Sequence, residues 1–372
     1  MKQILAILGM NLRTILERSG SSIVIIIGIA GSVAVMVSLL AMAEGLSNTI
    51  SSTGEEDRAL IFRDGSNSEL SSGIYIPQLP IIESVPGIRN SEDGPMIAAE
   101  LFTIIDLKKK GADDTSNLPL RGVQPMSFKI RPEVEIIKGE NFFPGRGEVI
   151  VGEGAYKEYE GLEIGDSLKI RDSQWKVVGI FSTGGDVHES EIWADLTVTQ
   201  GVFRRENSAS IAIVQMENKA IISDFAASLE LDPRLDLKVQ GEADFYSKQS
   251  SGASGVIQTF GYVVAIIMAI GSVFAALNTM YTAVSTRLVE IGTLRAVGFQ
   301  GGAVLFALMI ESMLLALTGG LLGAGLSYLI FNGYTVSTLA SGSFTQTAFD
   351  FAVTGDIVGQ GLMLALIVGF LG

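Results

Sequence analysis

Long stretches without charged residues are the feature of this sequence that most restricts its fold. No charge occurs from Ser19 to Ala43, and none occurs from Gln249 to Thr286. Roughly 20 apolar residues in a helix cross the hydrocarbon core of a bilayer, so both stretches are long enough to span it. Two further apolar stretches lie near the C-terminal end. The sequence therefore predicts a membrane protein with four transmembrane helices, at 19–43, 256–283, 301–331 and 357–372, the last of which is shorter than a full crossing and is expected to be truncated.

The first apolar stretch has two interpretations. The small residues Ala41 and Ala43 at its end are compatible with a signal-peptide cleavage site. However, the stretch exceeds the roughly 7–15 apolar residues of a signal-peptide core. We therefore favour a retained transmembrane helix.

The distribution of lysine and arginine predicts the orientation in the membrane. Residues 1–18 contain three of them and residues 284–300 contain two, whereas residues 332–356 contain none. By the positive-inside rule, the first two segments are cytoplasmic. The long segment 44–255 and the short connection 332–356 are then expected on the outer side of the inner membrane.

Segment 44–255 has the pattern of a soluble α+β domain. Its apolar runs are rich in valine and isoleucine and are separated by glycine, proline, asparagine and aspartate, which is typical of strands and turns. Its ends, Glu44–Gly54 and Glu242–Gly255, are predicted to extend the flanking helices as a stalk. Residues Glu44–Lys248 carry 21 of the 26 Lys+Arg and 35 of the 40 Asp+Glu, so this segment holds the whole net charge of −14. So acidic a surface argues against nucleic-acid partners.

Residues 284–300 form a short charged connection between two apolar stretches. Leu288, Ile291, Leu294 and Val297 recur at intervals of three, which places them along one face of a short helix. A basic amphipathic helix here is well placed to receive force from a cytoplasmic protein. The alternative is a loop whose arginines only set the orientation of the membrane helices.

The same connection carries a resemblance to a known family. The stretch RLVEIGTLRAVGF resembles the cytoplasmic coupling segment of the MacB/FtsX-type ABC permeases, which include macrolide exporters and lipoprotein-releasing permeases. Four more stretches agree in order and spacing, and the resemblance extends over nearly the whole chain. These are GIAGSVAVMVSLL, VVGIFSTGGDVHESEIWADL, GSVFAALNTMY and IESMLLALTGGLLG.

The resemblance implies a permease subunit of the MacB-like branch that transmits ATP-driven closure of an ATPase to its periplasmic domains. It implies a homodimer, two lobes in the external domain, and a tripartite efflux system with a periplasmic adaptor and an outer-membrane channel. An FtsX-like regulator of a periplasmic hydrolase and a lipoprotein-releasing permease remain as alternatives. The residues expected to contact the ATPase are Arg287, Glu290, Ile291, Gly292, Thr293, Leu294, Arg295 and Gly298.

The sequence offers little for catalysis. There is no cysteine, and His188 is the one histidine, which excludes a two-histidine metal site. We expect the loop around His188 to be solvated rather than to bind a cation. No glycine is followed by lysine, so a phosphate-binding loop is absent from this sequence. We therefore expect no catalytic, cofactor or metal site here, with ATP and magnesium bound by a separate ATPase subunit, since only 18 residues precede the first predicted helix.

Two features of the predicted membrane helices have more than one interpretation. Glu311 lies inside the third apolar stretch, where a carboxylate is costly and indicates either a function or an anchoring ion pair. The pairs Gly271/Ala275 and Gly319/Gly323 have the small-xxx-small spacing that lets helices approach closely. The alternative for these glycines is contact with lipid.

Overall fold

A computed structural model describes residues 19–286, 288–339 and 346–372. The chain forms two units. The membrane unit comprises residues 19–45, Ser254–Tyr334 and Asp350–Gly372, and the α+β unit comprises Leu46–Ala253 and Thr335–Phe349. Helices α1 and α7 contribute residues to both.

The described residues contain the following helices: α1 Ser19–Ser51, α2 Leu79–Glu83, α3 Pro125–Ile130, α4 Glu153–Glu158, α5 Leu196–Phe203, α6 Ile222–Glu230, α7 Glu242–Thr286, α8 Leu288–Ala296, α9 Gly301–Phe331 and α10 Gly355–Leu371. The strands are β1 Arg58–Arg63, β2 Ile74–Tyr75, β3 Asn90–Ser91, β4 Gly94–Pro95, β5 Ile97–Lys108, β6 Thr115–Val123, β7 Glu135–Gly139, β8 Glu148–Gly152, β9 Ser167–Ile170, β10 Ser173–Ser182, β11 Ile192–Asp195, β12 Ser208–Ala209, β13 Ile211–Gln215, β14 Leu237–Gly241, β15 Thr335–Leu339 and β16 Gln346–Asp350.

Three helices in the described residues are long and apolar enough to cross a membrane. They are Ser22–Ser51 within α1, Glu242–Thr282 within α7, and α9; the shorter helix α10 is apolar over 17 residues. In the membrane unit, α1 is in contact with its neighbours through small polar groups as well as apolar ones. The hydroxyl of Ser32 on α1 lies 2.7 Å from that of Ser272 on α7, so two polar groups in an apolar setting satisfy each other.

Helix α7 is longer than a membrane crossing requires. It runs for 45 residues and begins at Glu242, so it includes both the predicted stalk Glu242–Gly255 and the transmembrane segment predicted from residue 256. Within the α+β unit, Ser250 of this helix lies 3.0 Å from Ser47 of α1, hydroxyl to hydroxyl. The ends of the two helices therefore run side by side there.

A ten-stranded sheet organises the α+β unit. Its order is β14-β1-β13-β5-β6-β11-β8-β10-β7, with β9 paired to β10. Strand β5 joins two halves of this sheet, because Ile97–Glu100 pair with β13 and Leu101–Lys108 pair with β6. A strand of 12 residues is long enough to belong to both halves.

The two halves of the sheet have separate hydrophobic cores. The first core contains residues such as Ile61, Val214 and Phe225, which lie before Phe102 or after Ala194 in the chain. The second core contains residues of the intervening chain, Trp175 among them. One lobe thus interrupts the other, in agreement with what the family resemblance implies.

Residues 332–356 contain more structure than the predicted short connection. Strands β15 and β16 pair with each other and belong to the α+β unit up to Phe349. The Ala348 amide donates to the Ser190 hydroxyl at 2.8 Å, and the Lys109 ammonium group donates to the Ser337 hydroxyl. The connection is therefore attached to the same domain that lies between α1 and α7.

Candidate coupling segment and buried ion network

The connection between the long helices α7 and α9 is a short helix followed by a glycine turn. After helix α8, the Gly298 amide donates to the Arg295 carbonyl at 3.1 Å. Gly298 has φ +103°, a left-handed conformation that glycine adopts without steric cost and that commonly terminates helices. Helix α9 then begins at Gly301. Residues 288–300 are called the coupling segment below.

The coupling segment exposes apolar and basic side chains together. Leu288, Val289 and Val297 are 64, 84 and 74 % exposed, and Arg295 is also exposed. Apart from the adjacent residues and the backbone of α8 itself, no described atom lies within 4 Å of the position that a Cβ would take at Gly292. These side chains are therefore available for contact with another protein.

The eight residues predicted to contact an ATPase are described to different extents. Arg287 lies outside the described residues, and so do the side chains of Glu290, Ile291 and Leu294. The hydroxyl of Thr293 donates at 2.8 Å to a carbonyl one turn earlier, so it satisfies its own helix. The grouping of all eight on one contact surface stays a prediction.

A network of buried ion pairs in the α+β unit was missed by the sequence analysis. At its centre, Arg121 on β6 is fully buried and donates to three carboxylates. It makes two bonds of 2.7 Å to Glu191, bonds of 2.7 and 3.1 Å to Glu69, and one of 3.0 Å to Glu100. The planar guanidinium fork suits such paired contacts with carboxylates, and charged partners offset its desolvation.

The network continues to the first residue of α7. Arg131 is fully buried and donates to Glu100 and, at 3.3 Å, to Glu242. Arg58 donates to the other oxygen of Glu242 at 3.4 Å, and the Glu55 amide donates to the same oxygen at 3.2 Å. The first turn of the long helix is therefore attached to the domain core by two guanidinium groups and a backbone amide.

Electrostatics keep this network charged. Burial alone would raise the pKa of Glu100, but the guanidinium groups of Arg131 and Arg121 outweigh that effect and hold its pKa at about 2. Burial would lower the pKa of each of these arginines, and their carboxylate partners raise it instead. The carboxylate and both guanidinium groups thus stay ionised across the physiological pH range.

The end of α1 is attached to the same domain. The Val187 amide donates to the Thr53 hydroxyl at 3.1 Å, and Thr53 is fully buried. Gly54 follows with φ +88°, and a Cβ there would lie 2.7 Å from the Glu242 side chain. A residue larger than glycine would push the start of α7 away from the end of α1.

His188 does not lie in a solvated loop, and that expectation is wrong. Its side chain is 1 % exposed, and its imidazole ring packs edge-on against the rings of Trp193 and Tyr246. The reason is Asp186, whose carboxylate lies 3.0 Å from Nδ1 and also accepts from the His188 amide. Burial would lower the pKa of His188, but the adjacent carboxylate of Asp186 outweighs it and raises this pKa.

Two family models match the chain. Residues 22–231 match the MacB-like periplasmic core domain, and residues 262–372 match the FtsX-like permease C-terminal region. The first match alone covers more than half of the sequence.

The chain belongs to the MacB/FtsX family of ABC transporter permeases.

Curated relatives of this permease include ATP-binding/permease proteins. It is 25 % identical over 375 residues to the macrolide export ATP-binding/permease protein MacB of Vibrio parahaemolyticus, which covers 93 % of this chain and 53 % of the relative. It is 25 % identical over 346 residues to an Escherichia coli protein of the same name, covering 86 % and 51 %. An uncharacterized ABC transporter permease of Methanocaldococcus jannaschii is 29 % identical over 180 residues, covering 45 % and 44 %. The chain spans about half the length of the curated relatives it matches.

Solved structures of related domains also match the permease. The extracellular domain of the ABC-type transporter YknZ from Gram-positive bacteria matches with a TM-score of 0.37 and 16 % identity, over 50 % of this chain and all of that one. The periplasmic region of MacB from Actinobacillus actinomycetemcomitans matches with a TM-score of 0.38 and 11 % identity, over 52 % and 91 %.

The predicted glycine pairs of this permease have different surroundings. A Cβ on Gly319 would lie 2.8 Å from the Ile26 carbonyl oxygen, and one on Gly323 would lie 2.4 Å from the Ala30 carbonyl oxygen. Helix α9 therefore approaches the backbone of α1 where both glycines lie. At Gly271 on α7, by contrast, no described atom lies within 4 Å of such a Cβ.

Two other residues singled out from the sequence lie within the membrane unit. Ala275 is half-buried on α7, one turn after Gly271. Glu311 is buried on α9. Burial of a carboxylate at this place agrees with the expectation that it is costly to retain, and both interpretations, an anchor or a functional group, stay open.

Proposed function

We propose that this permease transmits ATP-driven closure of an ABC ATPase from the coupling segment to the periplasmic core domain. The observation that carries the proposal is the exposed helix α8 with its apolar and basic surface, located between α7 and α9 in a chain of this family. An ATPase that binds α8 would apply force at the connection between the end of α7 and the start of α9. No polar pathway through the membrane unit is needed for such a role.

The attachment of α7 to the core domain supports the second half of this mechanism. Glu242 begins a helix that continues without interruption to Thr286, next to the coupling segment. A helix transmits an axial or lateral displacement as a rigid element, and the buried contacts of Glu242 prevent its first turn from moving independently of the domain. Thr53 does the same for the end of α1.

The topology that we propose has four membrane crossings and a cytoplasmic N-terminus. Three helices have sufficient length, and α10 would be the fourth, since 17 helical residues extend for about 25 Å. The positive-inside rule supports a cytoplasmic coupling segment. Single cysteines at Ser223 and Ser285 test this orientation, because the chain has no other cysteine. A membrane-impermeant thiol reagent applied to intact spheroplasts should label Ser223→Cys and not Ser285→Cys; the opposite result would reverse the orientation.

The proposed partners follow from the role. These 372 residues include no Gly-Lys phosphate-binding loop, so an ATPase outside them would bind ATP and magnesium; we propose that it is a separate subunit. A second copy of the permease would complete a homodimer. The relatives named for macrolide export support an efflux role. A periplasmic adaptor and an outer-membrane channel are further partners that we propose from the family resemblance.

Affinity purification from native membranes tests the proposal. A co-purifying ABC ATPase, together with an adaptor and an outer-membrane channel, would support export. A co-purifying peptidoglycan hydrolase would favour the FtsX-like alternative, and a lipoprotein carrier would favour lipoprotein release. The purified permease alone should hydrolyse no ATP, so robust turnover by a preparation free of other proteins would refute the division of labour.

A further inference from the structure

A cavity of about 340 Å³ lies in the α+β unit beside the first turns of α7. Its size falls within the range of about 300–1,000 Å³ that is usual for small-molecule sites. It is lined by the paired strands β1 and β14, by the turn that follows β1, and by one face of α7. The cavity is separate from the buried ion network, because none of the arginines of that network lines it.

The floor of the cavity is aromatic. Phe62 on β1 and Phe245 on α7 are both buried, with ring centroids 5.1 Å apart. Gly252 lies two turns further along the same face of α7, where a side chain would have open space. Phe62 is 3 % and Phe245 9 % exposed, so an apolar group in the cavity contacts the small exposed part of the two rings.

The rim of the cavity is basic and polar. Lys238 on β14 is the direct cross-strand neighbour of Phe62, so the two side chains share a face of the sheet. Lys248 lies three residues after Phe245 on the same face of α7. Neither lysine forms an ion pair with a described residue, and Ser66, Ser68 and other neutral groups complete the rim.

The charge of the lining contrasts with that of the domain around it. Residues Glu44–Lys248 carry 14 more acidic than basic residues, yet the cavity has two lysines and no carboxylate among its lining residues. In a domain of this composition, two unpaired lysines over an aromatic floor form a local positive site. Such a site attracts an anion, and its floor favours an apolar body attached to that anion.

We propose that this cavity binds an amphipathic organic anion, with its apolar part against Phe62 and Phe245 and its carboxylate or phosphate head between Lys238 and Lys248. The proposal does not depend on the coupling mechanism, since the ligand would bind the core domain whether or not an ATPase moves α7. The head group has two sources, a phosphate as in an anionic lipid or a carboxylate as in a free solute.

Saturation-transfer NMR on the full chain in nanodiscs of zwitterionic lipid tests the proposal, with empty nanodiscs subtracted. The probes are phenyl phosphate, 4-phenylbutyrate and the neutral 4-phenylbutanamide. We expect at least one anion to bind, and the neutral amide to bind at least about fivefold more weakly than 4-phenylbutyrate or phenyl phosphate. Tighter binding of the phosphate would assign a phosphate head, and tighter binding of the carboxylate would assign a carboxylate head. Failure of both anions to bind, or equal binding of the neutral amide, would overturn the proposal.

Two variants make the test specific to this cavity. Lys238→Gln combined with Lys248→Gln should weaken anion binding about five- to tenfold, whereas Lys169→Gln combined with Lys176→Gln removes two exposed lysines elsewhere and should leave binding unchanged. Gly252→Leu should weaken binding while both lysines remain, because its side chain would enter the cavity that Gly252 lines. Unchanged tryptophan fluorescence would show that each variant is folded. If the lysine variant and Gly252→Leu bind the anions as the unaltered chain does, the site is elsewhere.

Discussion

Replacement of Arg121 by methionine should destabilise the periplasmic core domain while leaving the membrane unit inserted. Methionine keeps much of the volume and the contact with the Phe102 ring, over which the guanidinium group lies at 5.0 Å. The loss is therefore mainly electrostatic. Glu191 keeps the Trp193 indole as a donor at 2.7 Å, and Glu100 keeps Arg131. Glu69, which is buried, loses both of the bonds that Arg121 donates to it.

The expected loss of stability follows from which carboxylates keep a donor and which do not. Removing one member of a buried ion pair costs about 3–5 kcal/mol, because a charge is left uncompensated in a poorly polarisable interior. A second substitution, Glu69→Gln, removes the stranded charge and should recover about 1–2 kcal/mol of this loss. The matched control is Arg146→Met, because the Arg146 side chain is 64 % exposed and pairs with Glu148 at 3.5 Å; this change should cost less than about 1 kcal/mol.

Tryptophan fluorescence during urea unfolding measures the effect in this domain alone. Both tryptophans of the chain, Trp175 and Trp193, are fully buried in the α+β unit. With a denaturant dependence of roughly 1–3 kcal/mol per M urea, Arg121→Met should lower the midpoint by at least about 1 M. A midpoint shift no larger than that of Arg146→Met would refute the view that the network is a buried, mutually compensating cluster.

Three further predictions concern single sites. Because the pKa of His188 is raised in the folded domain, its protonated imidazole stabilises the fold fully below the ordinary pKa of 6.5, and this stabilisation is lost as the pH rises through the raised pKa. His188→Asn should therefore lower the melting temperature more at about pH 5.5 than at about pH 8.5. An equal loss at both pH values would contradict the pairing with Asp186. Gly323→Leu should disrupt the packing of α9 on α1 and reduce the yield of folded protein in detergent. Gly325→Leu should not, because no described atom outside its own helix lies within 4 Å of a Cβ at that position. Similar yields for the two variants would argue against a close helix contact. Gly298→Val forces a β-branched residue into φ +103°, at a cost of about 1–3 kcal/mol, and should reduce ATP-dependent transport more than expression; unaltered transport would show that the turn is not needed for coupling.

The general architecture could be predicted from the sequence because it depends on local patterns. The long uncharged stretches predict the membrane helices, and the start and end of α9 agree with the predicted 301–331. The start of α7 at Glu242 agrees with the predicted helical stalk Glu242–Gly255. Its first turns are polar and serve the α+β unit, so hydropathy alone assigns the boundary near residue 256.

The buried ion network could not be predicted because its members are distant in the chain. Glu100 and Arg121 lie 21 residues apart, and Arg131 and Glu242 lie 111 residues apart. A weak signal exists in the strands: Glu100 and Arg121 each interrupt an apolar run that is otherwise buried on both sides. A lone charge there predicts a buried partner without telling which residue supplies it.

The same limit applies to His188 and to the lysine-rimmed cavity. The sequence around His188 has the composition of a solvated loop, and only the folded chain places Trp193 and Tyr246 against the imidazole. Lys238 and Lys248 are separated by the beginning of α7, and a strand pairing with β1 is needed to place Phe62 beside them. For the coupling segment, by contrast, the local pattern was sufficient to predict a short helix.

Distance measurement between spin labels tests the central claim most directly. The chain has no cysteine, so Lys157→Cys on the exposed surface of the core domain places one label per copy. In a reconstituted complex of the permease dimer with its ATPase, a non-hydrolysable ATP analogue should change the distance between the two labels. The combined substitutions Glu290→Ala and Arg295→Ala should abolish that change, and Arg295→Lys should weaken it, because lysine keeps the charge without the planar fork. An identical nucleotide-dependent change in the double variant, or no change in the unaltered complex, would contradict transmission through the coupling segment.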